Sequence, residues 1–153
     1  MKFEHLRLTQ LDEQLKNWDM AKKQAKPQKG WVNLIRTILG MSSRQLAKRM
    51  GVNQARVIQI ESAEQREAIT LKTLAKAAKA MGCELVYAIV PHTTLDDVLK
   101  NQAKKLAEKR LGYISHSMGL EAQKVAADKE QQQLENLIKE LLNDSPKKLW
   151  KEE

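Results

Sequence analysis

The amino-acid sequence predicts a mainly α-helical chain, with a small helical bundle built on a two-helix turn unit, one short β-strand and a C-terminal helical extension. Three observations predict this. Apolar residues recur every three or four positions through most of the chain. Aromatic residues make up only 4% of it against 42% hydrophobic residues in total, so the core must be made of Leu, Ile, Val, Ala and Met. Third, the stretch from Met41 to Ser62 reads as two short helices joined by a tight turn. With 153 residues the chain is long enough for one domain, or one domain with an appendage.

In the turn unit, Leu46, Ala47 and Met50 form one apolar face and Val57 with Ile60 forms a second. Ser42 can cap the exposed amides of a helix from Ser43 to Met50, and Asn53 can do the same for Gln54 to Glu61. Gly51 stands where the first helix must stop in a left-handed conformation. Helices this short have little apolar area each and must lean on neighbours. The outer face of the second helix then carries Gln54, Ala55, Arg56 and Gln59, without an acidic group, which suits base edges and phosphates. An αα-hairpin inside an ordinary helical bundle is the alternative.

Upstream, Leu8, Leu11, Leu15 and Trp18 make a narrow stripe on a helix from about Phe3 to Lys23, either packed on its own domain or forming a seam between two protomers. Lys22, Lys23, Lys26 and Lys29 surround Pro27 and Gly30 in a basic linker, solvated or laid against a duplex. Trp31, Leu34, Ile35, Ile38 and Leu39 predict a buried helical face ended by Gly40. Downstream of the turn unit, the reading helix is expected to end at Glu61 and Ser62, with residues 63–69 as a loop. Thr70 caps a helix whose face is Leu71, Leu74, Ala75, Ala78 and Met81. Five short helices around one small core are the expected design.

The seven residues Glu84 to Val90 are rich in β-formers and lie between Gly82-Cys83 and Pro91, which predicts a single strand. A lone strand has an edge to satisfy, by pairing with the same strand of a second copy or with an extended piece of its own chain. Helix resumes at Thr94, with Leu95, Val98, Leu99, Leu106 and Leu111 on one face, and again with Leu134, Leu137, Ile138, Leu141 and Leu142, until Asp144-Ser145-Pro146. Leu149 and Trp150 in the basic tail predict a docking contact. The organisation read from this is 1–29 as an N-terminal helix and basic linker, 30–93 as the helix-turn-helix unit ending in a strand, and 94–153 as a C-terminal helical extension for dimerisation or partner binding.

Net charge is +8, and its location says more than its size. Residues 1–93 hold 16 Lys plus Arg against 8 Asp plus Glu, whereas residues 94–153 hold 11 of each. A polyanion bound by the first part would explain this, since neutralising phosphates releases counterions. Cys83 is the only cysteine, which excludes an intrachain disulfide and fits a reducing compartment. No stretch has the roughly 20 apolar residues of a membrane span. The start lacks the apolar centre of a secretory signal, so a cytoplasmic protein is expected.

Leu46-Ala47, the turn Gly51-Val52-Asn53, then Gln54, Val57, Ile60 and Glu61 resemble the helix-turn-helix of the phage-repressor, or XRE, class from about Trp31 to Met81. That resemblance implies a repressor-like fold in which Gln54 and Ala55 approach base edges and Arg56 and Gln59 follow on the same side. Ser43 stands where many relatives have Gln, giving a shorter contact. Arg44, Asn53 and Ser62 are phosphate candidates, and Ile58 is an unusual apolar residue for its place.

A longer series is similar to the family called mobile mystery protein A. It comprises Gly30-Trp31, Lys72 to Leu74, Gly82 to Ala88, Ser115 to Met118 with Glu121 to Gln123, and Leu149-Trp150. That resemblance implies a small DNA-binding regulator that serves as the antitoxin of a Fic-domain protein encoded by an adjacent gene. With the dimer that a lone strand suggests, the expected protein is a homodimeric transcriptional regulator of operator DNA. Fic antitoxins carry Ser or Thr, three residues, Glu, then Gly or Asn. Ser117 and Glu121 have that spacing, but Ala122 departs from it. Partner contacts would fall on Ser117, Glu121 and Trp150. The alternative is a protein-binding neutraliser of a partner enzyme with little specific DNA binding.

No catalytic residue and no cofactor are expected. His5, His92, His116 and Cys83 are too scattered for a metal-ligand signature, and no Gly-rich phosphate loop or nucleophile elbow is present.

Overall fold

The computed structural model describes residues 2–115 and 123–151. The chain divides into two compact units, Met20–Ile89 at the centre and Met1–Asp19 with Val90–Glu153 at the ends. Each is built around its own apolar cluster.

The terminal unit contains α1 (Lys2–Lys16), α7 (Leu95–Ser115), α8 (Gln123–Asn143) and a 3-10 turn at Pro146–Trp150. Ala103, Leu106 and Ala107 of α7 meet Leu141 of α8 and Leu149 of the 3-10 turn in its core. Buried Gln102 donates its Nε2 to the Leu149 carbonyl at 3.0 Å, which holds the 3-10 turn down. Helix α1 packs on α7, and its Asp12 carboxylate accepts the amides of Leu95 and Asp96 at 2.7 and 3.2 Å. A carboxylate from the N-terminal helix thus caps α7 together with Thr94, whose hydroxyl accepts the Asp97 amide. The N-terminal helix stops at Lys16, earlier than Lys23; Asn17 and Asp19, weak interior helix formers, flank the break before the single turn α2 (Asp19–Lys22). Leu149 is buried at 2% exposure while Trp150 stays 45% exposed.

The central unit packs α3 (Trp31–Ile38), α4 (Ser43–Met50), α5 (Gln54–Gln65) and α6 (Leu71–Ala80) around Val32, Leu46, Ala47, Val57, Ile60, Ala77 and Met81. These are four helices around the core, not five. Three start with the side-chain caps expected of them, since Ser42, Asn53 and Thr70 accept the amides of Gln45, Arg56 and Thr73. Ser42 and Gln45 exchange both bonds of a capping box. Arg49 donates to the Ala80 carbonyl at 2.6 Å and ties α4 to the end of α6.

Three further expectations need correction here. The buried face of α3 is Val32 with Ile35, whereas Trp31, Leu34, Ile38 and Leu39 are exposed. Helix α3 carries two apolar stripes, and its rotation is set by the polar residues Asn33 and Arg36, which reach α5. Second, α5 runs through Ser62 to Gln65, and the chain leaves helical geometry only at Arg66 and Glu67, the latter with φ 58°.

Third, no strand occurs among the described residues. Cys83–Val90 has no regular secondary structure, because β-propensity supplies a strand but not the second strand it must pair with. No helix among the described residues is long and apolar enough to cross a membrane.

Candidate nucleic-acid interface

Local chemistry fixes the two helices of the turn unit. Gly51 closes α4 at φ 71°, its amide bonding to the Lys48 carbonyl at 3.2 Å and that of Val52 to the Ala47 carbonyl at 3.0 Å. Two residues later Asn53 starts α5, its Oδ1 accepting the Arg56 amide at 2.7 Å. With Val57 and Ile60 at 0% and 2% exposure, helical geometry places Gln54, Ala55, Arg56, Ile58, Gln59 and Ser62 on exposed positions.

At the start of α5, Gln54 donates its Nε2 to the Ser43 hydroxyl of α4 at 2.9 Å. The first turns of both helices are thereby joined, and Ser43 is half-buried while Arg44 beside it is exposed. The Arg44 and Arg56 side chains have no hydrogen-bond or ion-pair partner among the described residues. The structure therefore brings Ser43 and Gln54 together directly, leaves Arg44, Ala55, Arg56, Gln59 and Ser62 outward, and gives Asn53 a capping job. Ser117 and Glu121 lie outside the described residues. Trp150 belongs to the terminal unit.

Residues 20–89 hold 13 Lys plus Arg against only four acidic groups, Glu61, Glu64, Glu67 and Glu84. Three of these are consumed internally. Glu61 takes Arg36 Nε at 2.5 Å and Asn33 Nδ2 at 2.8 Å. Glu64 accepts the Trp31 and Val32 amides at 2.7 and 3.0 Å, capping α3 from α5. Glu67 pairs with Lys26 of the basic segment at 2.5 Å, an exposed contact of small worth. The consequence is an outer α5 face with no carboxylate to compete with a phosphate.

Sequence reasoning missed the Asn33, Arg36, Glu61 and Glu64 set. Its signal was there, since Asn33 with Arg36 and Glu61 with Glu64 each sit three residues apart on a helix, in a unit with few acids.

Burial pushes the Glu61 carboxyl upward, but hydrogen bonds from Arg36 and Asn33 outweigh it and hold the group below its ordinary value. Its stabilising contribution is therefore complete above the ordinary carboxylate range and is lost as pH falls through the depressed folded value. Urea midpoints of the wild type should fall between about pH 5 and pH 3, and the Glu61→Gln variant, less stable at neutral pH, should show a shallower fall over that interval. Identical slopes would mean that Glu61 does not titrate differently on folding.

Residues 34–87 match the helix-turn-helix family model. The chain thus carries an XRE-type helix-turn-helix domain, of the kind found in DNA-binding regulators, and the match spans α4, the turn and α5. No curated protein and no solved structure matches the chain. Among the described residues, no three His, Cys, Asp or Glu side chains are grouped to hold a metal ion.

Proposed function

We propose that this protein is a sequence-specific transcriptional regulator that binds operator DNA through the face of α5 from Gln54 to Gln59. The observation that carries the reading is the exposed, acid-free face on which Arg56 stands unpaired while the neighbouring carboxylates of α5 are held by α3. In this reading Gln54 and Ala55 would meet base edges, Arg56 guanine and Gln59 adenine. Arg44, Ser62 and the Nδ2 of Asn53 would take phosphates, with Ser43 steadying Gln54. A homodimer reading two half-sites is the natural form for such a domain.

The finer role is that of an autoregulating antitoxin in the cytoplasm, opposed to a Fic-domain protein. The likeness to the mobile mystery protein A family supports it, and half-exposed Trp150 is one surface on which that partner could rest.

In gel shifts on the region upstream of its own gene, Arg56→Ala should weaken specific binding by about 5- to 150-fold, with a much smaller loss on random DNA. Equal losses on both would reduce Arg56 to a phosphate contact. A wild-type protein giving no sequence-selective band would overturn the regulator reading and leave a neutraliser of a partner enzyme.

A further inference from the structure

After α6 the chain turns at Gly82, where Cys83 donates its amide to the Ala78 carbonyl at 2.9 Å. From Glu84 to Val90 no backbone group then finds a partner among the described residues. Buried backbone groups are satisfied almost without exception, so a run of seven bare residues must face either water or another chain. The side chains argue against water, because Val86, Tyr87 and Ile89 are 62%, 66% and 91% exposed. Isolated exposed apolar residues are ordinary, but a contiguous run of them along an unpaired edge is not.

We propose that Glu84–Val90 pairs antiparallel with the same segment of a second copy of this chain, forming a two-stranded ribbon across a two-fold axis at Tyr87. The inference deepens the homodimer named above and rests on that part of the reading. Among the described residues no extended piece of the same chain bonds to this segment, and a second copy is the partner that its own sequence fits.

The segment complements itself. Centred on Tyr87, antiparallel pairing sets Leu85 opposite Ile89, Val86 opposite Ala88 and Tyr87 opposite its own copy. Side chains alternate along a strand, so Leu85, Tyr87 and Ile89 of both copies share one face as a continuous apolar stripe. Pro91 has no amide proton and ends the ladder, so moving the axis away from Tyr87 leaves residues unpaired.

Charge selects the same direction. Glu84 is the only charged residue between Gly82 and Pro91. Antiparallel pairing puts the two carboxylates at opposite ends, roughly 20 Å apart and beyond the screening length. Parallel pairing would set them side by side.

A two-stranded ribbon alone is marginal in water, so it needs a surface to lie on. The central unit has one, an apolar cleft of about 250 Å³ lined by Trp31, Ile35, Leu74, Met81, Leu85 and Val86. Ile89 of the second copy, opposite Leu85, arrives at that cleft. Exposed Leu34 and Ile38 continue the apolar surface along α3 from Trp31.

Light scattering on the full chain without DNA should give twice the 17.5 kDa chain mass. Only alternate residues of an antiparallel pair donate across it. One of Tyr87→Pro and Ala88→Pro should therefore weaken the dimer by roughly thirty-fold or more, since the symmetry doubles the lost ladder bond, and the other should weaken it much less, both with unchanged helical circular dichroism. In a Cys83→Ser background, Tyr87→Cys should oxidise to a linked dimer readily and Ala88→Cys poorly, because residue 88 faces residue 86 of the other copy. A monomeric wild type, a dimer that survives both prolines, or preferential linking at residue 88 would overturn the pairing. A proline-sensitive dimer that gives no selective band on any DNA would sink the regulator reading and leave the pairing standing.

Discussion

Replacing Arg36 by Met is expected to remove about 3 to 5 kcal/mol from the stability of the central unit at neutral pH, a large part of the roughly 5 to 15 kcal/mol that holds a domain folded. Its guanidinium makes the Nε contact with Glu61, a second to Glu61 Oε2 at 3.2 Å, and a third to the Met41 carbonyl at 2.9 Å. The side chains of the pair are 12% and 14% exposed, too little for water to replace the missing cation cheaply. Methionine retains much of the volume, so the loss is electrostatic and not that of a cavity. Adding Glu61→Leu to Arg36→Met should then recover most of the stability, because the stranded carboxylate goes with it. Native-state hydrogen exchange at the Leu46 and Ile60 amides reads the opening free energy of this unit. A loss under about 1 kcal/mol, with no recovery in the double variant, would show that the pair is worth no more than an exposed one.

This pair also explains which parts of the molecule could be read in advance. The turn unit was legible because its signals are local. Ser42, Asn53 and Thr70 each cap an amide three residues ahead, and Gly51 marks the one position of α4 that needs a left-handed backbone. What escaped was non-local. Glu64 caps α3 across 32 and 33 residues, and Asp12 caps α7 across 83 and 84, distances at which hydrophobic periodicity carries no information.

The face of α3 was lost for a related reason. Trp31, Leu34 and Ile38 make as good a stripe as Val32 and Ile35, and only the reach of Asn33 and Arg36 toward Glu61 decides which one turns inward. On α5, Ala63, Glu64 and Gln65 carry no stop signal, so the helix continues until Arg66. At Glu84–Val90 the composition was extended in character, but pairing is a property of two segments. For the candidate interface, exposure of Gln54, Ala55, Arg56 and Gln59 followed from the buried positions of Val57 and Ile60. The bond between Gln54 and Ser43 did not, since it depends on how the two helices cross.

Gly30→Ala should cost about 2 to 4 kcal/mol, by two routes that can be separated. Gly30 precedes α3 with φ 84° and ψ 165°, a region open almost only to glycine, so the backbone share is about 1 to 3 kcal/mol. A Cβ at this position would also stand 2.7 Å from Glu64 Oε2 and 2.9 Å from its Cδ. The carboxylate is the end of a flexible side chain and can move aside. Moving takes it off the Trp31 and Val32 amides, which strips α3 of its cap at about 0.5 to 2 kcal/mol. Glu64→Ala alone should therefore show only the capping loss. In that background Gly30→Ala should show only the backbone cost, so the double variant is more stable than the sum of the single losses predicts. The difference, read by exchange at the same amides, measures how far the new methyl group displaces Glu64. Strict additivity would mean that the carboxylate keeps its hold on α3 with alanine present, and that backbone strain accounts for the whole effect.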